Sequence, residues 1–352
     1  MSGGGATRRE FLKATSAAAA AAALGAGARA GESPAGPPKI LNYNPRMGYR
    51  RLGKTELLIS EVSLGGHGGS SWKDRVPVLE RAAELGMNYL DTNIGDEVAM
   101  YGDAMEKALR GKRDSFYIGF ADWPVKLTPD YEGELTADLL LAEIEKRLKS
   151  YRTEMLDIWR PVGATWGPGQ TERETMLTVS DRTLDLVVET FEKAKRQGKV
   201  RFLGISAHNP KVFRNVLAKY PQFSVILFPY LFLTKEAGDE SLLALAKEKD
   251  VGVIGIKPFA AGATFGLPSE ALRGGVDPRA HVLVREMLRE KRIAAIIPGV
   301  ATPEQLEENV RGSYERDAPA SAEEKTALRE CLENYRRRLQ PEYAWLREWE
   351  VV

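Results

Sequence analysis

Eight short apolar runs, each followed by a stretch with helical periodicity, constrain this chain more than any other feature. The runs cover residues 62–64, 89–91, 116–118, 156–159, 202–206, 225–228, 251–256 and 295–297. Helical patterns follow at 76–85, 103–109, 137–149, 184–197, 212–219, 242–248, 280–288 and 303–310. Strands that alternate with helices pair in parallel, because each helix carries the chain back across the sheet. Eight such units fit a closed (β/α)8 TIM barrel better than an open doubly wound sheet, and no early GxGxxG follows a strand. With 352 residues, 43% of them hydrophobic, the chain has enough apolar side chains for such a core. Runs at 49–52 and 57–59, on either side of Gly53-Lys54-Thr55-Glu56, predict a hairpin that plugs the bottom of the barrel. From Ser321 the pattern is a charged helix and then an aromatic tail with Tyr335, Tyr343, Trp345 and Trp349, which either packs on the barrel side or folds over its mouth.

The first 30 residues read differently from the rest. Thr7-Arg8-Arg9-Glu10-Phe11-Leu12-Lys13 looks like a twin-arginine export motif, and an Ala-dominated run to Leu24 and Ala28-Arg29-Ala30 follow it. The run is too short and too weakly apolar to span a bilayer, so cleavage after Ala30 is expected. The expected location is therefore the periplasm or another extracytoplasmic compartment, with the twin-arginine export machinery as a partner. Residues 31–46, with Pro34, Pro37, Pro38 and Pro45, read as a linker, 47–320 as the barrel domain and 321–352 as a helical and aromatic extension.

Composition removes several kinds of chemistry. The net charge is +1, and Arg8, Arg9, Lys13 and Arg29 lie in the leader, so the remainder is slightly acidic and no nucleic-acid partner is expected. A single cysteine, Cys331, excludes an internal disulfide and cysteine-based metal clusters. Three histidines at 67, 208 and 281 have no paired ligand spacing, so no metal site is expected.

One strand-loop-helix unit, residues 85–102, carries an acid, Asp91, and a phenol, Tyr101. Three other segments stand in register with it: Tyr49-Arg50-Arg51-Leu52-Gly53-Lys54-Thr55 with Val62-Ser63-Leu64-Gly65-Gly66, the run from Gly198 to Ser206, and Ile297-Pro298-Gly299 with Glu304-Gln305-Leu306-Glu307-Glu308-Asn309. Together they resemble the aldo-keto reductase superfamily over residues 47–312. The resemblance implies a TIM barrel that binds a nicotinamide dinucleotide, usually NADPH, in an extended pose across its C-terminal face. In that family a tyrosine donates the proton, tuned by a lysine paired with an aspartate, and a histidine orients the carbonyl. Asp91 matches the aspartate, and Tyr101 the tyrosine after a longer loop. The lysine and histidine have no counterpart. The third run reads Phe116-Tyr117-Ile118-Gly119-Phe120-Ala121-Asp122, with no base until Lys126, and the fourth continues as Arg160-Pro161-Val162.

Other residues fall on the same face. His67, in Gly65-Gly66-His67-Gly68-Gly69, titrates in the useful range and stands as an alternative proton donor or a loop hydrogen bonder. Arg160 could bind a substrate carboxylate or phosphate, or form a surface ion pair. His208 and Trp166, the latter in a Gly-rich loop over 161–178, are further substrate candidates. Ser206, Lys257, Gly299, Thr302, Gln305 and Asn309 are the cofactor candidates, although Thr302-Pro303-Glu304-Gln305 is also a good capping box. Gln305 stands where the family often has an arginine for the 2′-phosphate, which leaves NADP and NAD both open. The expected activity is NAD(P)-dependent oxidation or reduction of a small carbonyl or sugar-like substrate with an incomplete catalytic tetrad. The alternative is a barrel that binds a dinucleotide or small ligand without redox turnover.

Overall fold

The computed structural model describes residues 40–65, 75–92, 102–104, 106–108, 113–122, 136–161, 180–238, 241–267 and 275–352. A hairpin comes first, β1 (Tyr49–Arg51) antiparallel to β2 (Leu58–Ser60). Seven parallel strands follow, hydrogen-bonded in sequence order: β3 (Tyr89–Thr92), β4 (Tyr117–Asp122), β5 (Leu156–Pro161), β6 (Val200–Ser206), β7 (Phe223–Pro229), β8 (Gly252–Ile256) and β9 (Ala295–Ile297). The eighth barrel strand is the short run at 62–64. Val62 bridges Ile296 and Leu64 bridges Leu90, which joins the two edges of the sheet. The result is the expected (β/α)8 barrel of eight parallel strands.

Helices α1 (Val76–Glu84), α2 (Ala137–Tyr151), α3 (Asp181–Arg196), α4 (Pro210–Lys219), α5 (Leu242–Glu248), α6 (Ala280–Met287) and α7 (Pro303–Tyr314) form the outer layer, with α8 (Ala322–Arg338) appended. Most begin where a side-chain oxygen precedes the helical pattern. Thr136, Ser180, Asn209, Ser241, Thr302 and Ser321 each accept a backbone N–H of the first turn.

Side chains alternate between two apolar layers. Tyr89, Ile158, Val225, Leu227, Ile254, Ala295 and Ile297 fill the barrel interior, and Leu52, Leu57 and Ile59 of the hairpin join them from below. Gly53 at the hairpin turn has φ +50° and bridges Val251, where a side chain would overlap the Gly252 backbone. Glycine alone lets the plug seat this closely.

Two boundaries differ from the sequence expectation. The region expected as linker already touches the barrel at Asn42, whose amide donates to the Met87 and Ser115 carbonyls at 2.8 Å each. These bonds satisfy carbonyls at the barrel bottom. Strands β4 and β5 also run further than the apolar runs do, through Ala121↔Arg160 and Asp122↔Pro161. Ladder pairing carries on past the last aliphatic residue, and this extension sets Arg160 on the inward face with Ile158.

Candidate active site

Asp91 stands at the C-terminal end of β3, nearly buried. Its Oδ1 accepts hydrogen bonds from Arg160 Nη2 at 2.6 Å and from the Tyr89 hydroxyl at 3.0 Å. Arg160 reaches it from β5, across the intervening strand β4. Small residues on β4 and β6 make that reach possible. Gly119 lies opposite Asp91, where a Cβ would overlap the Tyr89 hydroxyl, and a Cβ on Gly204 would come within 2.9 Å of Arg160 Cγ. The Arg160 side chain is only 2% exposed, so the pair meets in a low-dielectric setting where attraction is strong and separation costly. Burial, reinforced by the Asp91 charge, pushes the Tyr89 phenol well above its ordinary value. Tyr89 is thus a fixed donor to Asp91 rather than an acid.

The cation beside Asp91 is the feature that sequence reasoning missed. Arg160 of the fourth barrel strand supplies it, in a buried pair and not in the surface pair expected of it, because β5 runs on past Trp159 and turns this side chain into the barrel. Strand periodicity placed Arg160 on the face of Ile158, and that was the available signal.

His67, Tyr101 and Trp166 lie outside the described residues. Two neighbours of the first pair are described. Gly65 packs against the Asp91 backbone, its Cβ position 2.9 Å from the Asp91 carbonyl. Gly102, by contrast, packs on the Ser150 carbonyl near the C-terminal end of α2, and that end leads back to the bottom of the barrel.

A cleft at the end of β9 gathers Gly299, Gln305 and Asn309 with Phe259, Phe265 and Asp277. Thr302 caps α7 by accepting the Gln305 N–H at 3.3 Å. The Gln305 side chain accepts from Ala301 N and donates to the Gly275 carbonyl, both at 2.7 Å, so its amide serves the cap and a neighbouring loop. Asn309 is 2% exposed, and its amide forms no hydrogen bond to another described residue. The Phe259 and Phe265 rings stand 4.9 Å apart. Arg75, which sequence reasoning also missed, donates to the Val300 carbonyl beside Gly299 at 2.9 Å.

Ser206, Lys257 and His208 stand across the mouth, at and beyond the ends of β6 and β8. The aromatic tail joins two of them. The His208 ring stacks on Trp345 at 3.9 Å, and the Lys257 ammonium lies 5.9 Å from the same indole. Burial pulls the Lys257 ammonium down to about 8. Trp349 goes elsewhere: it stacks on Phe228 at 5.1 Å in the outer layer, and its indole N–H donates to the His208 carbonyl at 3.1 Å. The tail therefore does both things considered for it, with Trp349 on the barrel side and Trp345 at the mouth. Among the described residues no group of three or more His, Cys, Asp or Glu side chains is placed to hold a metal ion.

Residues 61–281, well over half of the chain, match the family model described as the aldo/keto reductase family. The chain belongs to the aldo/keto reductase family. It is 25% identical over 307 residues to the uncharacterized oxidoreductase YqkF of Bacillus subtilis, covering 77% of this chain and 92% of that one. It is 24% identical over 299 residues to the L-galactose dehydrogenase of Arabidopsis thaliana, covering 76% and 89%. In fold it is similar to the holo form of an aldo-keto reductase from Bacillus halodurans, with TM-score 0.60 and 21% identity over 81% of this chain and 96% of that one.

Proposed function

We propose that this aldo/keto reductase uses a nicotinamide dinucleotide to reduce a small carbonyl compound, or to oxidise the corresponding sugar-like alcohol. The observation that carries the reading is the buried Asp91–Arg160 pair, which sits at the strand C-termini of the barrel that also holds the β9 cleft. In a TIM barrel those ends are where chemistry is done. The cleft holds only about 40 Å³, so its two aromatic rings, the Asn309 amide and the backbone N–H groups at the start of α7 are offered as one wall of an adenosine site and not as a formed pocket. Lys257 supplies positive charge for a pyrophosphate, and Ser206 a hydroxyl for a carboxamide.

When bound, the dinucleotide supplies or accepts the hydride at the carbonyl carbon. The chain's own task is to place the substrate and to give a proton to the oxygen. Arg160 is paired with Asp91 and gives the developing alkoxide a positive neighbour. His67 is the favoured proton donor because Gly65, two residues before it, lies against Asp91, whereas Gly102, next to Tyr101, packs near the bottom end of α2. Trp345, His208 and Trp166 are the residues assigned to the substrate wall.

Fluorescence titration with NADH and NADPH, analysis of dinucleotide released on denaturation, and turnover of an aldehyde panel test this reading. Binding and turnover are expected. His67→Ala should lose about 10²–10⁴-fold in turnover, the usual worth of a positioned acid, and Tyr101→Phe much less. A protein that neither carries nor binds a dinucleotide overturns the proposal, and unchanged turnover in both variants overturns the choice of acids.

The Arg8-Arg9 motif supports export of the folded protein by the twin-arginine machinery. Lysine at both positions should retain the chain in the cytoplasmic fraction. An unaltered extracytoplasmic share would contradict export by this route.

A further inference from the structure

We infer that Tyr89 is a positioning residue of the active site: its hydroxyl, seated in the space that Gly119 leaves, fixes the Asp91 carboxylate in the orientation that Arg160 meets; this deepens the oxidoreductase reading above and rests on it. Tyr89 and Asp91 are two residues apart on β3, so alternation turns both side chains to the same face, into the barrel. The Tyr89 ring is fully buried and belongs to the interior layer with Ile158, Val225 and Leu227, where close packing keeps it from moving aside.

The neighbouring strands leave room for this hydroxyl. Polar side chains come from β3 and β5, and the strands on either side of β5 carry glycines next to them, Gly119 on β4 and Gly204 on β6. Gly119 pairs with Asp91, and a Cβ there would overlap the Tyr89 hydroxyl and stand 3.0 Å from Asp91 Oδ1. Gly204 clears the path of Arg160 in the same way, since a Cβ there would lie 2.9 Å from Arg160 Cγ and 3.1 Å from Ile158 Cγ2. A tyrosine that only packs needs space for its ring. Here the backbone of β4 also makes space for the oxygen.

An aspartate carboxylate turns easily about its Cβ–Cγ bond, because that torsion is broad and roughly two-fold. A single donor restrains it in part; two donors on one oxygen, from different strands, restrain it fully. Tyr89 Oη at 3.0 Å and Arg160 Nη2 at 2.6 Å both donate to Oδ1, one from the same strand and one from two strands away. Burial and the Asp91 charge hold the phenol well above its ordinary value, so the hydroxyl keeps its proton and goes on donating across the working pH range. Tyr89 therefore acts through Asp91 and not on the substrate. A guanidinium whose partner is fixed is itself fixed, and a developing alkoxide then meets its charge in one place.

Tyr89→Phe in the full chain keeps the ring and removes only the donor. For an aldehyde that the wild type reduces, kcat should fall about tenfold to a hundredfold, the scale of a small misplacement of reacting groups. KM for the aldehyde and the dissociation constant of the dinucleotide, read by fluorescence, should stay at wild-type values, a split that general loosening of the fold would not give. Gly119→Ala evicts the same hydroxyl and should show the same split, and the double variant should lose much less than the product of the two single losses. Melting curves supply a readout without turnover: the shifts caused by Tyr89→Phe and Arg160→Met should be non-additive, since both bonds end on Asp91 Oδ1. Wild-type kcat in a folded Tyr89→Phe protein, or a loss confined to KM, overturns the positioning role and leaves the oxidoreductase reading standing, and additive melting shifts do the same. A wild type that turns over no aldehyde overturns both, and coupled melting shifts would then leave the contact as structure alone.

Discussion

Arg160→Met should lower folding stability by about 3–5 kcal/mol, the cost of leaving one member of a buried ion pair without its partner, and should abolish most turnover. Asp91 would keep the Tyr89 hydroxyl but lose its 2.6 Å guanidinium bond in a site with almost no access to water. Urea denaturation followed by circular dichroism measures the first effect. The double variant Asp91→Asn, Arg160→Met separates it from the second. Removing the charge as well as its partner should recover much of the stability, because an amide is far cheaper to bury than a lone carboxylate. Turnover should stay low, since the positive neighbour of the substrate oxygen is gone. A single variant that unfolds at the wild-type midpoint would show that the pair is not closed in solution.

Trp349→Ala should cost about 3–5 kcal/mol, as large-to-small changes of a buried aromatic do. Trp349 is fully buried between Phe228 and Phe213, so its loss leaves a cavity in the outer layer. The His208 carbonyl loses its indole donor as well. Backbone bonds of Lys235 and Ala237 to Glu350 and Val352, and the Thr234 hydroxyl donating to the Trp349 carbonyl, hold the same segment, so the tail should stay near the barrel but loosen. The consequence at the mouth is specific: Trp345 sits four residues away and should lose its fixed stack on His208. Trp349→Phe should recover much of the stability while still lacking the hydrogen bond. Thermal melts of the two variants, with the emission of the remaining tryptophans, report both effects. An alanine variant within 1 kcal/mol of wild type, on the scale of a surface change, would mean that the tail is not part of the folded unit.

Local physics made much of this molecule readable in advance. The eight apolar runs are eight strands because a segment buried on both faces can hydrogen-bond only within a covered parallel sheet. Asn209 and Thr302 start helices because their side chains replace missing acceptors within three residues, an interaction that needs no tertiary partner. The hairpin around Gly53 needs only two short strands and a tight turn. The same local logic put Asp91 at a strand end and Gly299, Thr302 and Gln305 at a strand-to-helix turn, and each of them is found there.

What lay beyond local reach is every feature made by residues far apart in the chain. Asp91 and Arg160 are 69 positions apart and belong to strands that are not neighbours. Alternation shows that Arg160 shares a face with Ile158, but barrel curvature and the missing side chain of Gly119 decide that it reaches Asp91. Trp345 and Trp349 have the same composition and similar surroundings in sequence, yet one meets His208 and the other Phe228, because a tail tethered at Lys235 turns successive aromatics in different directions. The amino-acid order by itself determined the barrel, its helix starts and the strand ends from which a site could be built. Tertiary structure alone decided which charges meet there, since electrostatic pairing depends on distance through space and not on separation along the chain.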